Sequence, residues 1–421
     1  MPSAFAHANT ARYGLLGMAL AFVALPLYVV LPNYYAREFG VPLASLGLVL
    51  LAARLFDALI DPALGRWSDR LFARAPAQVL RWGVFTAFAL ALGFAGLFYP
   101  QVPRGAQANP NAILLWAFAL LLLTYTAYSA LSVAHQSWGA RYGGNEAQRS
   151  RVVAWREGFG LIGVLMASIL PIVSGVGSSV AMFCVVLVLG MWGWACALKP
   201  PATPADALQV SIWLPLQRPA FRALLLIFMV NGIASAIPAT LVLFFIQDKL
   251  QAPKAYEGAF LGVYFLAAAL CIPLWLRLIG RIGLARSWLL GMVLAVLVFI
   301  GAAALGAGDL AGFMLVCALS GVALGADLTV PGAMLAGLIA DAGDRGKAEG
   351  AYFGWWNFAT KLNLALAAGL ALPILQIFGY APGARSPEAL SALVLAYCIV
   401  PCALKCIAGY VLFTQTFWRK I

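Results

Sequence analysis

Charge is what this 421-residue sequence lacks: 27 Lys and Arg and 15 Asp and Glu make up 10% of it, against about 25% in an average soluble domain. That scarcity excludes a soluble enzyme. No stretch is long and polar enough to form a soluble catalytic or nucleic-acid-binding domain, so the formal net charge of +12 needs another explanation. Histidine is scarcer still, with only His7 and His135. No Cys/His ligand set and no Ser-His-Asp grouping can be assembled at one membrane depth, which argues against an embedded hydrolase or transferase. The seven cysteines all fall inside apolar runs, where disulfides are not expected. Cys398, Cys402 and Cys406 share a helix face at i, i+4 spacing; small packing residues at a helix contact are the preferred reading over a soft-metal site.

What is present is hydrophobic surface. Apolar residues make up 63% of the chain and mean hydropathy is +0.92. A crossing helix takes about 20 apolar residues, and apolar runs fall at 12–36, 43–66, 79–99, 112–138, 152–174, 178–198, 219–246, 257–279, 286–306, 310–340, 349–378 and 389–416. Their length and continuity require helices, since barrel strands would alternate over about ten residues. The run after Arg12 lacks a small-residue cleavage site and reads as a retained first helix. The expected fold is therefore an all-α membrane protein of twelve transmembrane helices in two pseudo-symmetric six-helix bundles. Residues 1–198 form the first bundle and 219–421 the second, and 199–218, with Pro200, Pro201 and Pro204, is a cytoplasmic linker.

Basic residues set the topology. With both termini inside, 19 Lys and Arg lie on one side, Arg419 and Lys420 among them, while Arg37, Arg104, Lys249, Lys254 and Arg385 lie on the other. By the positive-inside rule the basic side is cytoplasmic, and the bacterial inner membrane is the expected location. The halves also echo one another. Gly65-Arg66-Trp67-Ser68-Asp69-Arg70 ends the second span and Arg277-Leu278-Ile279-Gly280-Arg281 ends the eighth; Arg149-Ser150-Arg151 and Arg345-Gly346-Lys347 lead into the fifth and eleventh. Two-bundle transporters are built from such repeats, with the ligand near the midplane.

Ionisable groups inside spans are costly and mark functional positions. In the second span Asp57 and Asp61 stand one turn apart on one face, with Arg54 one turn earlier. Such a pair can bind a cation or hold a proton; a structural Arg54–Asp57 ion pair is the alternative. Asp69, followed by Arg70, sits where an acid can latch a neighbouring helix end, so Arg54, Asp69 and Arg70 are assigned to gating. Arg156 and Glu157 open the fifth span, either as interfacial anchors or at a ligand entrance. Lys361 in the eleventh span either pairs with a carboxylate across the bundle or meets an anionic group of the substrate, and Asp327 in the tenth joins it as a cavity residue. Lys405 is expected to snorkel towards the inner surface. Trp355, Trp356 and Asn357 precede Lys361 by about one turn and offer stacking and a hydrogen bond, with lipid-facing packing as the alternative. The fourth span carries Tyr125, Thr126, Tyr128, Ser129, Ser132, His135 and Gln136, a polar surface suited to lining a cavity or a helix contact. His135 reads as a hydrogen-bonded structural residue.

Ala53-Arg54-Leu55-Phe56-Asp57-Ala58-Leu59-Ile60-Asp61-Pro62, with Gly65 and Asp69-Arg70 after it, resembles the second helix of the glycoside–pentoside–hexuronide:cation symporters, the melibiose-permease branch of the major facilitator superfamily. Ser137-Trp138-Gly139-Ala140 with Trp155-Arg156-Glu157, and Asp327-Leu328-Thr329-Val330-Pro331 with Glu349-Gly350-Ala351-Tyr352-Phe353-Gly354, extend the resemblance over most of the chain. It implies cation-coupled uptake by alternating access. The family's cation-binding acids match Asp57 and Asp61, its fourth-helix threonine matches Thr126, its eleventh-helix lysine Lys361 and its fifth-helix arginine Arg156. Tyr125, Ser129 and Trp356 complete the expected cavity.

Departures bear on ion and substrate. The asparagine that sodium-using members carry before the second acid is Ile60 here, which favours H+ over Na+ as the coupling ion. The first span has no carboxylate, the sugar-binding acid of the fourth is Ser129, and its stacking tryptophan falls near Val133. The leading expectation is a cation-coupled symporter of a small, sugar- or glycoside-like solute. A carrier of amphipathic, lysolipid-like substrates and a proton-coupled exporter of hydrophobic compounds are the alternatives within transport, and a non-transporting sensor is a third class. No cofactor, metal or nucleic-acid partner is expected; the partners are a small-molecule substrate and the bilayer, and the chain is expected to be a monomer.

Overall fold

A computed structural model describes residues 4–39, 41, 43–101, 110–201, 211–377, 380, 383 and 386–415. Arg104, Arg385, Arg419, Lys420 and the linker stretch with Pro204 lie outside the described residues. In chain order the helices are α1 (His7–Leu25), α2 (Leu31–Phe39), α3 (Leu43–Arg74), α4 (Pro76–Phe98), α5 (Pro110–Arg141), α6 (Glu146–Val173), α7 (Gly175–Cys196), α8 (Leu214–Gln217), α9 (Pro219–Phe244), α10 (Ala255–Ile282), α11 (Leu284–Ala303), α12 (Leu310–Asp341), α13 (Glu349–Ile377), α14 (Pro387–Val394) and α15 (Val400–Thr414). Short π-helical segments join α1 to α2 (Pro26–Val30), extend α9 (Phe245–Lys249) and join α14 to α15 (Leu395–Ile399). Nine helical segments among the described residues are long and apolar enough to cross a membrane. Residues 7–39, α3 and α13 are three further long helical stretches.

Helix ends follow local chemistry. Asn145 accepts from the Gln148 backbone N–H at 2.9 Å while the Gln148 side chain accepts from the Asn145 N–H at 2.9 Å, a reciprocal capping box. This cap starts α6 at Glu146, earlier than the apolar run at 152 indicated, so Arg156 and Glu157 lie three turns inside the helix. Gly143 and Gly144, with φ of 69° and 86°, make the left-handed turn before it. Pro76 and Pro219 occupy first turns, where a missing N–H costs nothing. The 32 residues of α3 cover about 48 Å at 1.5 Å per residue, well beyond the ~30 Å hydrocarbon core. Its last turns, with Arg66, Asp69 and Arg70, therefore extend past the apolar run that ends at Arg66.

The chain divides into two compact units, Met1–Pro215 with Ile339–Phe358, and Leu216–Leu338 with Ala359–Ile421. In the first, α1 packs along α6 and α7, and α5 packs against α3 and α4. Contact in a bilayer depends on small residues that let backbones approach: a Cβ on Gly14 would lie 2.8 Å from the Trp155 carbonyl carbon, and one on Gly193 2.7 Å from the Arg12 carbonyl oxygen. Phe22, Phe94, Phe183, Trp138 and Trp194 are fully buried there. Trp138 Nε1 and the Tyr142 hydroxyl both donate to Leu198 O, fixing the chain after α7; burial pushes the Tyr142 hydroxyl up to about 12, so it stays a donor. In the second unit α15 packs against α9 and α11, and Phe245 stacks on Tyr397 with ring centroids 4.3 Å apart.

Candidate functional site

Asp57 and Asp61 are both buried, at 3% and 0% exposure, on the same side of α3. Asp57 Oδ1 accepts the Ser129 hydroxyl of α5 at 2.8 Å. Ser129, expected in a substrate cavity, thus also serves the carboxylate of the neighbouring helix. Thr126 lies one turn before it, half-buried and with no side-chain hydrogen bond among the described residues, while Tyr125 is buried on the same helix. The Asp57 carboxyl and the Ser129 hydroxyl thus meet between α3 and α5, with Asp61 and Thr126 about one turn away on their own helices. Arg54 is exposed on α3. Behind Asp61 the backbone is crowded: a Cβ on Gly354 would lie 2.6 Å from Asp61 O.

Asp69 contacts a neighbouring helix end, through partners that the sequence did not reveal. Its carboxylate accepts the backbone N–H groups of Gly350 at 2.7 Å and Ala351 at 2.9 Å, in the first turn of α13. There the helix dipole adds to the attraction. Arg141, the last residue of α5, donates Nη2 to Asp69 Oδ1 at 2.9 Å, lies 3.0 Å from Glu349 Oε2, and donates Nη1 to Gly346 O at 2.8 Å. Its guanidinium carbon stands 4.1 Å from the centre of the Phe72 ring. The side chains of Asp69, Arg141 and Glu349 are at most 1% exposed. Alongside, a Cβ on Gly65 would collide with Gly350 O. The sequence singled out neither Arg141 nor Glu349 as a partner of Asp69. Arg70, one residue on, is exposed.

Arg156 donates Nε to Glu157 Oε1 at 2.9 Å, so the two neighbours pair with each other. The adjoining Tyr13 and His135 are tied reciprocally: the Tyr13 hydroxyl donates to His135 O at 2.9 Å and His135 Nε2 lies 2.8 Å from Tyr13 O. A carbonyl only accepts, so Nε2 donates to it, and His135 is hydrogen-bonded within the first unit. Trp356 is buried, whereas Trp355 packs against Trp213 with the rings tilted by 42° and centroids 5.3 Å apart, and donates to Ile212 O. Its ring therefore meets the segment before α8.

In the second unit Asp327 is held from three other helices. Oδ1 accepts from Asn231 Nδ2 at 2.9 Å and Trp288 Nε1 at 2.8 Å; Oδ2 accepts from Lys405 Nζ at 3.2 Å, with the Ser235 hydroxyl at 3.4 Å. Lys405 also donates to Asn231 Oδ1 at 2.8 Å and is 5% exposed. This corrects the expectation that Lys405 snorkels: a carboxylate and an amide oxygen inside the unit satisfy its charge. Lys361 is half-buried on α13 in the same unit.

Residues 12–416 match the family described as MFS/sugar transport protein. The chain is 24% identical to an uncharacterized symporter, YjmB, of Bacillus subtilis, over 89% of this chain and 85% of that one. It is 23% identical to a putative sulfoquinovose importer of Salmonella typhimurium, over 92% and 84%. With the inner membrane symporter YicJ of Escherichia coli it shares 26% identity over 34% of this chain, and spans 30% of that protein's length. Among solved structures, a bacterial homologue of the iron transporter ferroportin superposes with a TM-score of 0.72 at 15% identity over the whole of both chains. The transporter FucP does so with 0.64 at 16%, over 96% and 98%.

Proposed function

As the chain belongs to the MFS/sugar transport protein family, a group of multi-pass membrane transporters, we propose that it is a proton-coupled symporter of a small sugar-like solute working by alternating access. Asp57 and Asp61 bind the coupling ion, with Ser129 and Thr126 supplying hydroxyl oxygens. The observation that carries this reading is the Asp57–Ser129 hydrogen bond of 2.8 Å with a second, fully buried acid one turn on. Two acids at that spacing cannot both ionise cheaply in a low-dielectric environment, so an ion or proton has to compensate them. Ile60, which adds no oxygen, favours H+ over Na+. Substrate selection falls to Tyr125, Arg156, Trp356, Asp327 and Lys361, and the resemblance of 92% of the chain to a putative sulfoquinovose importer favours a sugar that carries an acid group.

In this cycle the contacts of Asp69 and Arg141 with the start of α13 hold one state and must part in the other. The basic loops face the cytoplasm, as the charge asymmetry requires, in a bacterial inner membrane. The test is uptake of radiolabelled hexoses, uronates, sulfosugars and lysolipids into proteoliposomes under an imposed pH or sodium gradient. The wild-type protein accumulates a sugar when the outside is acidic. The Asp57→Asn, Asp61→Asn double variant should lose this accumulation, and gradient-driven uptake equal to wild type in that variant refutes the coupling assignment.

A further inference from the structure

The hydrogen-bond inventory around Asp327 is lopsided. Its carboxylate is filled by four donors, from Asn231, Ser235, Trp288 and Lys405, close to the limit of its lone pairs. Lys405 brings three N–H groups, and only two find acceptors among the described residues, Asn231 Oδ1 and Asp327 Oδ2. One ammonium N–H is left over on a side chain that is 5% exposed. The Asp327 side chain is 18% exposed, the more open end of the pair.

Stability alone does not call for this arrangement, because a buried ion pair is commonly replaceable by apolar residues at no loss. The donor geometry also fixes how the pair can change. The Trp288 and Asn231 N–H groups can only donate, so they oppose a proton on Oδ1 and leave Oδ2, the oxygen shared with Lys405, as the position a proton can take. Asn231 cannot flip without turning its amide nitrogen on the ammonium.

We propose that Asp327 and Lys405 form a charge-exchange site for an anionic group, a carboxylate or sulfonate, on the transported solute. The anion binds the free N–H of Lys405 and draws the ammonium away from Oδ2, and Asp327 takes one proton there. The pair is neutral before the exchange; after it, an anion faces the ammonium and a neutral acid faces three donors, so one proton enters with each anion. No step leaves a lone charge inside the unit. Tyr264 of α10 is in electrostatic range of Asp327, and Cys402 of α15 is in range of Lys405. This inference rests on the transport reading, but it concerns proton linkage in the second unit and not Asp57 or Asp61.

The experiment uses the purified full chain in lipid nanodiscs with sulfoquinovose and glucuronate as anionic probes and glucose as the neutral control. Affinity is measured by calorimetry between pH 6 and pH 8, and proton uptake by a pH-sensitive dye. At least one anion should bind, with up to tenfold loss of affinity per pH unit and one proton taken up per anion bound. In the Asp57→Asn, Asp61→Asn background, Asp327→Asn, a fixed mimic of the protonated acid, should bind the anion with no pH dependence and be thermally stabilised by it more than the protein with Asp327 in that background is. Asp327→Asn, Lys405→Met should keep the wild-type unfolding temperature and lose anion binding. Absence of binding by either anion overturns the proposal, as does pH-independent binding by the wild type or an Asp327→Asn protein that no anion stabilises. Asp57→Asn, Asp61→Asn should retain the linked proton uptake, so failure of the coupling assignment and failure of this proposal are read separately.

Discussion

Replacing Asp69 by Asn tests the contacts at the start of α13 with minimal change of shape. In the native arrangement one carboxylate accepts from Gly350 N, Ala351 N and Arg141 Nη2 at 2.7–2.9 Å, all out of contact with solvent. An amide has one accepting oxygen and turns its NH2 towards the remaining donors. At least one N–H is left unsatisfied, and Arg141 keeps the Glu349 carboxylate. An unsatisfied buried donor costs about 1–3 kcal/mol and a broken buried ion pair about 3–5; with Glu349 still in place the lower part of that range applies. About 3 kcal/mol corresponds to a roughly 150-fold shift of the equilibrium towards the released state. Ser68 is 2% exposed beside Asp69 and serves as the reporter. In a background without the seven native cysteines, Ser68→Cys should react slowly with a maleimide. Adding Asp69→Asn should raise the rate by one to two orders of magnitude without changing the unfolding temperature of the first unit by more than a few degrees. An unchanged labelling rate refutes the view that Asp69 holds the start of α13.

Two further outcomes follow from the same region. Gly65→Ala leaves every charge in place but puts a methyl group against Gly350 O, backbone on backbone; it should raise Ser68→Cys labelling in the same direction as Asp69→Asn, and equal labelling would show that close approach there is dispensable. Asn145→Ala removes the capping box of α6 and should cost about 1 kcal/mol, read as a lower denaturant midpoint with unaltered maleimide labelling.

The sequence made the helical class and the weight of the second span legible because the relevant signals are local. Long apolar runs need no partner to be recognised, and Asp57 and Asp61 are conspicuous because acids are rare inside such runs. Asp69 was readable for the same reason, through its place at a helix end. Its partners were not: Arg141 is 72 residues away and Gly350 281 residues away, and a single sequence contains no signal for such pairing. Glu349 stood out only as part of the run that carries the family resemblance. The enclosure of Asp327 was equally hidden, since Asn231, Trp288 and Lys405 lie on three other helices and each has a bland reading alone. Arg156 was placed at a helix start because apolar content begins near Val152, whereas the Asn145 cap, a polar signal, sets the true start.

The π-helical segments bear on how this chain can be aligned with others. Each accommodates one residue more per turn than an α-helix does, so the side chains beyond it are rotated by about 100° from an uninterrupted pattern. A helical wheel drawn from Pro387 onward loses its phase across Leu395–Ile399 and puts Lys405 on the wrong side; reset at Val400, the phase agrees with the inward course of the side chain. The same offset applies beyond Pro26–Val30 and at Phe245–Lys249, which contains the buried Asp248. Correspondences drawn from a relative whose helix is uninterrupted there hold in phase only up to each of these points, and an ungapped alignment through them then compares residues that face different neighbours.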